Sequence, residues 1–323
     1  MRTEIEKSSE PKFGTVKNVV KKYENLGNKS KKKIKYFISR IFIYFVLTEM
    51  AFLFILPFLY IFTTSLKTPQ DYLDPTVQWI PTQIDWNNFV KAFNALHYWR
   101  GFANTMIISI ACTVGQLFSC AIAGYGLGRY KYKGRNVIFV LVVLALLIPM
   151  QTIILPSYGI YSDLGLIDTY VPLILPAFLG QGIRGALFVL IFMYFFQRIP
   201  DALDDAARID GAGPIRLFTQ IMLPLVKSAI IVVGIFSFVW HWNDNYESSL
   251  YLTNDTIRTL QPKLQSFYTS FQQQGGNLGN DAANLSEPTL FAGCLFVMLP
   301  VLIVYILGQK QLAAGIERLG VIE

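Results

Sequence analysis

Acidic, basic and small side chains are concentrated in one short stretch, Asp201–Pro224, DALDDAARIDGAGPIRLFTQIMLP, between two strongly apolar runs. Read as a helix, Asp204 and Arg208 stand four apart and pair on the wet side. Leu203, Ala206 and Ala207 make a narrow stripe of small apolar residues on the opposite side. Gly211 supplies a stop, because glycine enters the left-handed conformation that ends helices without steric cost. Gly213-Pro214 makes a turn and starts a second amphipathic helix, Ile215–Met222, in which proline suits the first helical position. A helix–turn–helix bracket with an alanine face is expected, shaped to seat closely against another protein. Its chemistry is docking.

Bond-making chemistry finds little support. His97 and His241 are the only histidines and lie in different regions, so a two-histidine metal motif on one helix is absent. No serine sits in a nucleophile-elbow pattern, and no phosphate-binding Gly-Lys-Ser/Thr loop occurs. Gly180-Gln181-Gly182-Ile183-Arg184-Gly185 matches the dinucleotide fingerprint on paper, with Asp201, Asp204 and Asp205 near the spacing of a ribose contact. A membrane-length apolar run surrounds these glycines, and no strand–helix–strand unit is present to use them. They are expected to loosen or break a helix, or to let a neighbour approach closely. Gly124 and Gly128, four apart, suggest similar close packing. Cys112, Cys120 and Cys294 read as small buried hydrophobes. No metal site or cofactor is expected in the chain.

The elements that must position the bracket are apolar. Of 323 residues, 53% are hydrophobic and 15% charged, against about 25% charged in an average soluble chain. Runs of about 20 apolar residues, long enough to cross a bilayer, recur at Phe37–Phe62, Phe102–Leu127, Val137–Tyr158, Val171–Phe196, Leu225–Trp242 and Thr289–Leu307. The expected fold is all-α and polytopic, with six transmembrane helices. Residues 1–36 form a basic tail and residues 37–101 the first span with an external segment. A five-helix core, 102–309, holds the bracket within loop 198–224 and an external loop at 243–288, and residues 310–323 form a second tail.

Lysine and arginine placement orients the chain. Ten lysines from Lys7 to Lys35 precede the first span against Glu4, Glu6, Glu10 and Glu24. Arg129, Lys131, Lys133 and Arg135 follow the second span with no acid among them. Alternate loops are neutral or acidic. Both termini and the bracket are therefore expected on the cytoplasmic side of the cell membrane. The net charge of +7 is mostly this topology signal, and nucleic-acid binding finds no recognition motif.

A path for a polar solute is harder to read. Arg184 and Glu49 fall within expected spans, where an ionisable group faces a partner or water. Arg184 has three readings: hydrogen bonds to hydroxyls or a carboxylate of a solute, a pair with Glu49, or snorkelling. The run Trp240–Tyr246 mixes aromatics with polar groups, which suits a solute with apolar faces and polar edges and suits an interfacial aromatic belt. Asn104, Gln181, Arg184, Trp242, Asn243 and Asp244 are the candidates for lining the path. The external loop carries Gln272-Gln273-Gln274-Gly275-Gly276-Asn277, an amide-rich tip that reads either as a partner contact or as a linker. The segment Thr63–Arg100, with Trp79, Trp86, Trp99 and three prolines, is expected to form short surface helices.

The bracket resembles the "EAA" loop of binding-protein-dependent ABC importer permeases. The matching residues are Asp205-Ala206-Ala207, Asp210-Gly211-Ala212 and Ile221-Met222-Leu223-Pro224. Asn104-Thr105, Ala123-Gly124-Tyr125 with Arg129, Ile148-Pro149, Leu164–Tyr170 and Trp242-Asn243-Asp244 narrow it to the second membrane subunit of maltose-type systems. The resemblance covers about Trp79 to Gln309. It departs at Asp205, one methylene shorter than the usual glutamate, and at the C-terminus, which lacks the usual Gly/Ala-rich ending. It implies a heterodimer with a related permease and two cytoplasmic ATPases that hold ATP and Mg and seat Leu203, Asp204, Asp205, Ala206, Ala207, Arg208, Asp210, Gly211 and Ala212. It also implies an external solute-binding protein that delivers a carbohydrate, with Gln272–Asn277 as its contact; the alternatives are a permease of the same kind for a non-sugar solute such as a peptide, and a secondary transporter. The chain itself would not be an enzyme.

Overall fold

A computed structural model describes residues 13–273 and 286–320, and among them the side chains of 36–272 and 286–315. Gly275, Gly276 and Asn277, with Gln274 and the side chain of Gln273, lie outside the described residues. All the regular structure described is helical. In chain order the helices are α1 Phe13–Ser65, α2 Pro69–Leu73, α3 Asn87–Ala95, α4 Tyr98–Arg129, α5 Arg135–Leu147, α6 Met150–Asp163, α7 Val171–Phe178 and α8 Gly185–Gln197. They continue with α9 Asp201–Ile209, α10 Pro214–Leu225, α11 Lys227–Trp242, α12 Tyr246–Tyr251, α13 Leu260–Gln273 and α14 Glu287–Gly320.

Residues Met1–Tyr60 and Ile61–Glu323 form two compact units. In the first, the apolar half of α1 exposes side chains such as Phe42 and Phe54. Tyr36–Ser65, α4 and Glu287–Gly315 are each long and apolar enough to cross a membrane as one helix. Three further helix pairs reach that length and apolarity only together, each sharply bent: α5 with α6 at 95°, α8 with α9 at 74°, and α10 with α11 at 78°.

The expected third and fourth spans are therefore not straight rods. Val137–Tyr158 breaks where Ile148-Pro149 turns extended, because proline lacks the amide donor and restricts the residue before it. Val171–Phe196 breaks between Leu179 and Arg184, where Gly180 and Gly182 take φ of +75° and +81° and Arg184 takes +60°. The glycines break this segment as the sequence suggests.

A broken helix frees carbonyls that lipid cannot satisfy, and α4 supplies the missing donors. The Gln116 amide, fully buried, donates to the carbonyls of Gln181 (3.2 Å) and Ile183 (2.9 Å). Its own oxygen accepts from Ser237 of α11 at 2.7 Å. Ser119 Oγ donates to the Ala177 carbonyl at 2.7 Å, and Cys112 Sγ to that of Leu173 at 3.3 Å. Three spans are thus joined through one polar row.

Close approach makes those bonds reachable. A Cβ on Gly124 would lie 2.5 Å from Phe192 Cβ and 2.8 Å from the Met193 nitrogen, and one on Gly128 would lie 3.0 Å from the Met193 carbonyl. Around this contact Cys120, Ala121, Tyr125, Phe188, Phe192, Phe196, Met222, Ala229 and Val233 form the main core. Between Ser65 and α3, Asn88 donates to the carbonyls of Ser65 and Lys67, and Thr82 holds Asp71. The expected short helices of that segment are α2 and α3.

Gly124→Leu is expected to abolish accumulation of folded protein, because backbone of α8 stands where the side chain must go. Gly126→Leu, one residue pair away with nothing within 4 Å of its Cβ, is expected to accumulate normally. Fluorescence-detected size-exclusion chromatography of the two variants compares them directly.

Candidate functional site

The bracket is α9, the four-residue turn 210–213 and α10. Asp210 caps α9, and Gly211 follows at φ +77°. The Gly211 amide donates to the Arg208 carbonyl (3.0 Å) and the Ala212 amide to that of Ala207 (2.9 Å). This paired-bond ending needs a left-handed residue at position 211. Pro214 then opens α10 from the first helical position, as expected; the expected course, Ile215–Met222, is corrected in that the helix runs on to Leu225 and Leu217–Met222 is a π-helical turn. Leu217 and Met222 are buried from that turn.

The two faces of α9 are not those expected. Asp204 does not pair with Arg208 on the wet side. Its side chain is 14% exposed and binds Arg129 of α4, whose Nη2 and Nε lie 2.6 and 3.1 Å from Asp204 Oδ2. Ala207 does not belong to a docking stripe either, since it is buried in the main core. The buried guanidinium drew the acid inward, and the alanine one turn later followed it. Ala202, Asp205, Ala206 and Ile209 form the exposed face instead, flanked by Leu203, Arg208 and Asp210. Ile209 is 85% exposed and Ile215 81%. Ala212 is half-buried under the turn.

A cavity of about 690 Å³ opens where the two broken segments face each other. Gln151 and the Ile148-Pro149 bend line one side, Gln181 and Arg184 another, and Asp244, Glu247 and Tyr251 a third. Arg184 reaches it from its left-handed position, with its guanidinium carbon 5.6 Å from the ring centre of Trp240. Asp244 accepts from the amides of Glu247 (3.1 Å) and Ser248 (2.8 Å) and from the Ser248 hydroxyl (2.6 Å). Glu247 follows the fifth apolar segment, half-buried. Burial and then the Asp244 charge push its carboxyl up to about 7.

Three path candidates are corrected. All the polar atoms of the Asn104 side chain are spent: its nitrogen donates to the carbonyls of Thr256 and Arg258 (3.0 Å each), and its oxygen accepts from Tyr170 at 2.8 Å. It is a buried strut. Trp242 is fully buried, with Nε1 donating to the Val297 carbonyl at 3.0 Å. Asn243 is exposed, donates to the Val239 carbonyl and accepts from Gln261, away from the cavity lining. Gln181, Arg184 and Asp244 do meet at the cavity. Gln272 is exposed on α13, its amide donating to the Tyr268 hydroxyl.

Sequence reading missed Gln116, Gln151 and Glu247. A glutamine amid apolar residues of α4 was a legible signal, whereas Glu247 looked like any loop acid. Asp168, at φ +60°, ties its loop to residues 253 and 254. The Asn254 amide first, then the Thr253 hydroxyl, hold its carboxyl below the usual range.

Residues 120–318 match the model of the family described as "Binding-protein-dependent transport system inner membrane component". The chain belongs to that family. This permease is 30% identical over 264 residues to the melibiose/raffinose/stachyose import permease protein MelC of Bacillus subtilis, covering 81% of this chain and 89% of MelC. It is 30% identical over 275 residues to the arabinooligosaccharides transport system permease protein AraQ of Halalkalibacterium halodurans, covering 84% and 92%. Its fold is like that of a chain in the crystal structure of a bacterial ABC transporter involved in import of the acidic polysaccharide alginate. The TM-score is 0.71 at 23% identity, covering 84% of the permease and 96% of that chain.

The raised Glu247 carboxyl has a pH consequence. Its folded form holds a proton that the unfolded form gives up near pH 4.5, so this group costs stability as pH rises from about 4.5 to 7. Glu247→Gln is expected to raise the unfolding temperature of the detergent-solubilised permease at pH 8 and to leave it near wild type at pH 4.5. A difference independent of pH in thermal scans would contradict this.

Proposed function

We propose that the permease is one half of the channel of an ATP-driven, binding-protein-dependent carbohydrate importer. α1, α4, the bent α5–α6, the broken α7–α8, α11 and α14 make six crossings, with the α9–α10 bracket between the fourth and the fifth. Lysine and arginine placement puts both termini and the bracket in the cytoplasm. A second, related permease faces the cavity and completes the path. Two copies of a cytoplasmic ATPase hold ATP and Mg and bind the brackets. An extracytoplasmic binding protein delivers the solute, with the amide-rich tip 272–277 as its contact.

One observation carries this reading. An otherwise polar bracket leaves Ile209 and Ile215 almost fully exposed beside Ala206, while its opposite side is locked into the core. Exposed isoleucines at the end of a membrane bundle call for a protein cover, and small residues between them let that cover approach. Asp205, exposed on the same face, offers it a charge. Closure of the ATPases would then move a stiff element rather than deform it. The relatives named for import of melibiose, raffinose, stachyose and arabinooligosaccharides support a carbohydrate as the cargo.

The cavity's chemistry suits such a solute. Gln151, Gln181, Arg184 and Asp244 offer donors and acceptors to hydroxyls, and the apolar bend at Ile148 suits ring faces. Reconstitution of the full complex in proteoliposomes tests the function. ATP-dependent uptake of an oligosaccharide presented by the binding protein is expected, and its absence across a saccharide panel would overturn the reading.

Gly211→Val and Ala206→Trp test the docking face. Valine at φ +77° costs about 1–2 kcal/mol and spoils the turn, and tryptophan fills the seat. Both variants are expected to insert normally yet retain about tenfold less ATPase on affinity purification. Ala207→Leu is expected to lower accumulation of the permease itself, since that side chain points inward.

A further inference from the structure

Arg129 is the last residue of α4, and its side chain is 4% exposed. Its guanidinium meets two other pieces of chain. Nε and Nη2 bind Asp204 Oδ2 (3.1 and 2.6 Å), and Nη2 also lies 3.1 Å from Asp201 Oδ1. Nη1 donates to the carbonyls of Ile199 (2.5 Å) and Phe196 (3.4 Å), at the end of α8. A cation is favourable at the end of α8, where carbonyls lack helical partners, and the two aspartates are favourable in the first turn of α9. A single planar fork therefore joins the ends of α4 and α8 to the start of α9.

Charged pairs on a surface are weak, but this one is covered. Tyr125, one turn earlier on α4, packs its ring on Phe196 and Phe218 with centroids 5.2 and 5.0 Å away. Asp204 Oδ1 is buried without a hydrogen-bond partner, so this carboxylate depends on the bonds its other oxygen makes to Arg129. Without the arginine, Asp204 is an uncompensated buried charge whose remedy is to rotate α9 toward water. Other cations near the bracket are placed elsewhere: Arg208 is exposed, Arg198 lies over the Tyr194 ring at 4.5 Å, and Arg135 Nε caps the Leu127 carbonyl at 2.7 Å.

We propose that Arg129 is the positioning residue that makes α9 move as one piece with the ends of α4 and α8, so that displacement of the bracket reaches the spans without loss. This rests on the reading of the bracket as the ATPase seat. The inner face, Asp204 and Ala207, is then the transmission and the outer face the seat. The transmission acts on both sides of the broken α7–α8 segment, because α4 also holds the carbonyls at its break through Gln116.

Two measurements test it. The first is the number of ATP molecules hydrolysed per sugar imported by the reconstituted complex. Arg129→Ala is expected to raise that ratio about tenfold. Arg129→Lys keeps the charge but cannot reach both carbonyls and the carboxylate, and is expected to raise it about threefold, as is Asp204→Asn. A merely structural residue would reduce the amount of assembled complex and leave the ratio of the surviving complex at the wild-type value, which overturns the proposal. The lysine and asparagine variants serve if the alanine variant does not accumulate.

The second measurement needs no transport. Spin labels at Lys133→Cys and Ile209→Cys are expected to report a narrow distance distribution in the permease, broadened in Arg129→Ala and Arg129→Lys. Equal widths in all three sink the clamp, whatever the complex transports. A narrow distribution that broadens in the variants, in a complex without ATP-driven uptake, removes the transport reading and leaves the clamp standing.

Discussion

Backbone groups released inside an apolar slab must find partners within the protein, and the rest of this structure is arranged around that requirement. The α7–α8 segment is broken by Gly180 and Gly182, and its carbonyls are met by Cys112, Gln116 and Ser119 of α4. These donors lie on one stripe of α4, three to four residues apart. Gly124 and Gly128 extend the stripe and bring α8 close enough for the bonds to form. Arg129 ends it by collecting the carbonyls at the far end of α8. One helix thus satisfies a broken neighbour along most of its length.

The bracket inherits its orientation from this arrangement. Arg129 is buried because α8 must end against it, and a buried guanidinium needs carboxylates. Asp204 answers that need and turns α9 so that Ala207 meets the core and Ala206 meets the outside. The left-handed Gly211 then lets the chain reverse without disturbing either face. What remains exposed is a small, mostly apolar surface edged by acids and one arginine, mounted on a rigid base.

The same break also creates the cavity. Where α5–α6 bends at Pro149 and α7–α8 opens at Gly180, no helix fills the space, and Arg184 is delivered to it from a left-handed position. Asp244 and Glu247 sit together on its third side, where burial first and the Asp244 charge second push the Glu247 carboxyl up to about 7. The wall left by the broken helices sets Gln151, Gln181, Arg184 and Asp244 beside the apolar Ile148-Pro149 bend.

Much of this was legible from residue order. Apolar run lengths, the lysine and arginine bias, the helix-stopping Gly211, the helix-breaking glycines of the fourth run and the small residues at positions 124 and 128 are local properties. They depend on neighbours within a turn or two, so the chain by itself determined the helices, the break and the bracket. Which face of α9 points outward was decided only by the tertiary structure, because Arg129 lies 75 residues from Asp204 and outcompetes Arg208, its partner by helical spacing. Asn104 and Trp242 looked available for a solute until loop carbonyls at Thr256 and Arg258 and the Val297 carbonyl of α14 consumed them. Local sequence specifies what a side chain can bind. Burial and long-range proximity choose which of those partners it meets, since a polar group in an apolar interior takes the nearest group that removes its desolvation cost.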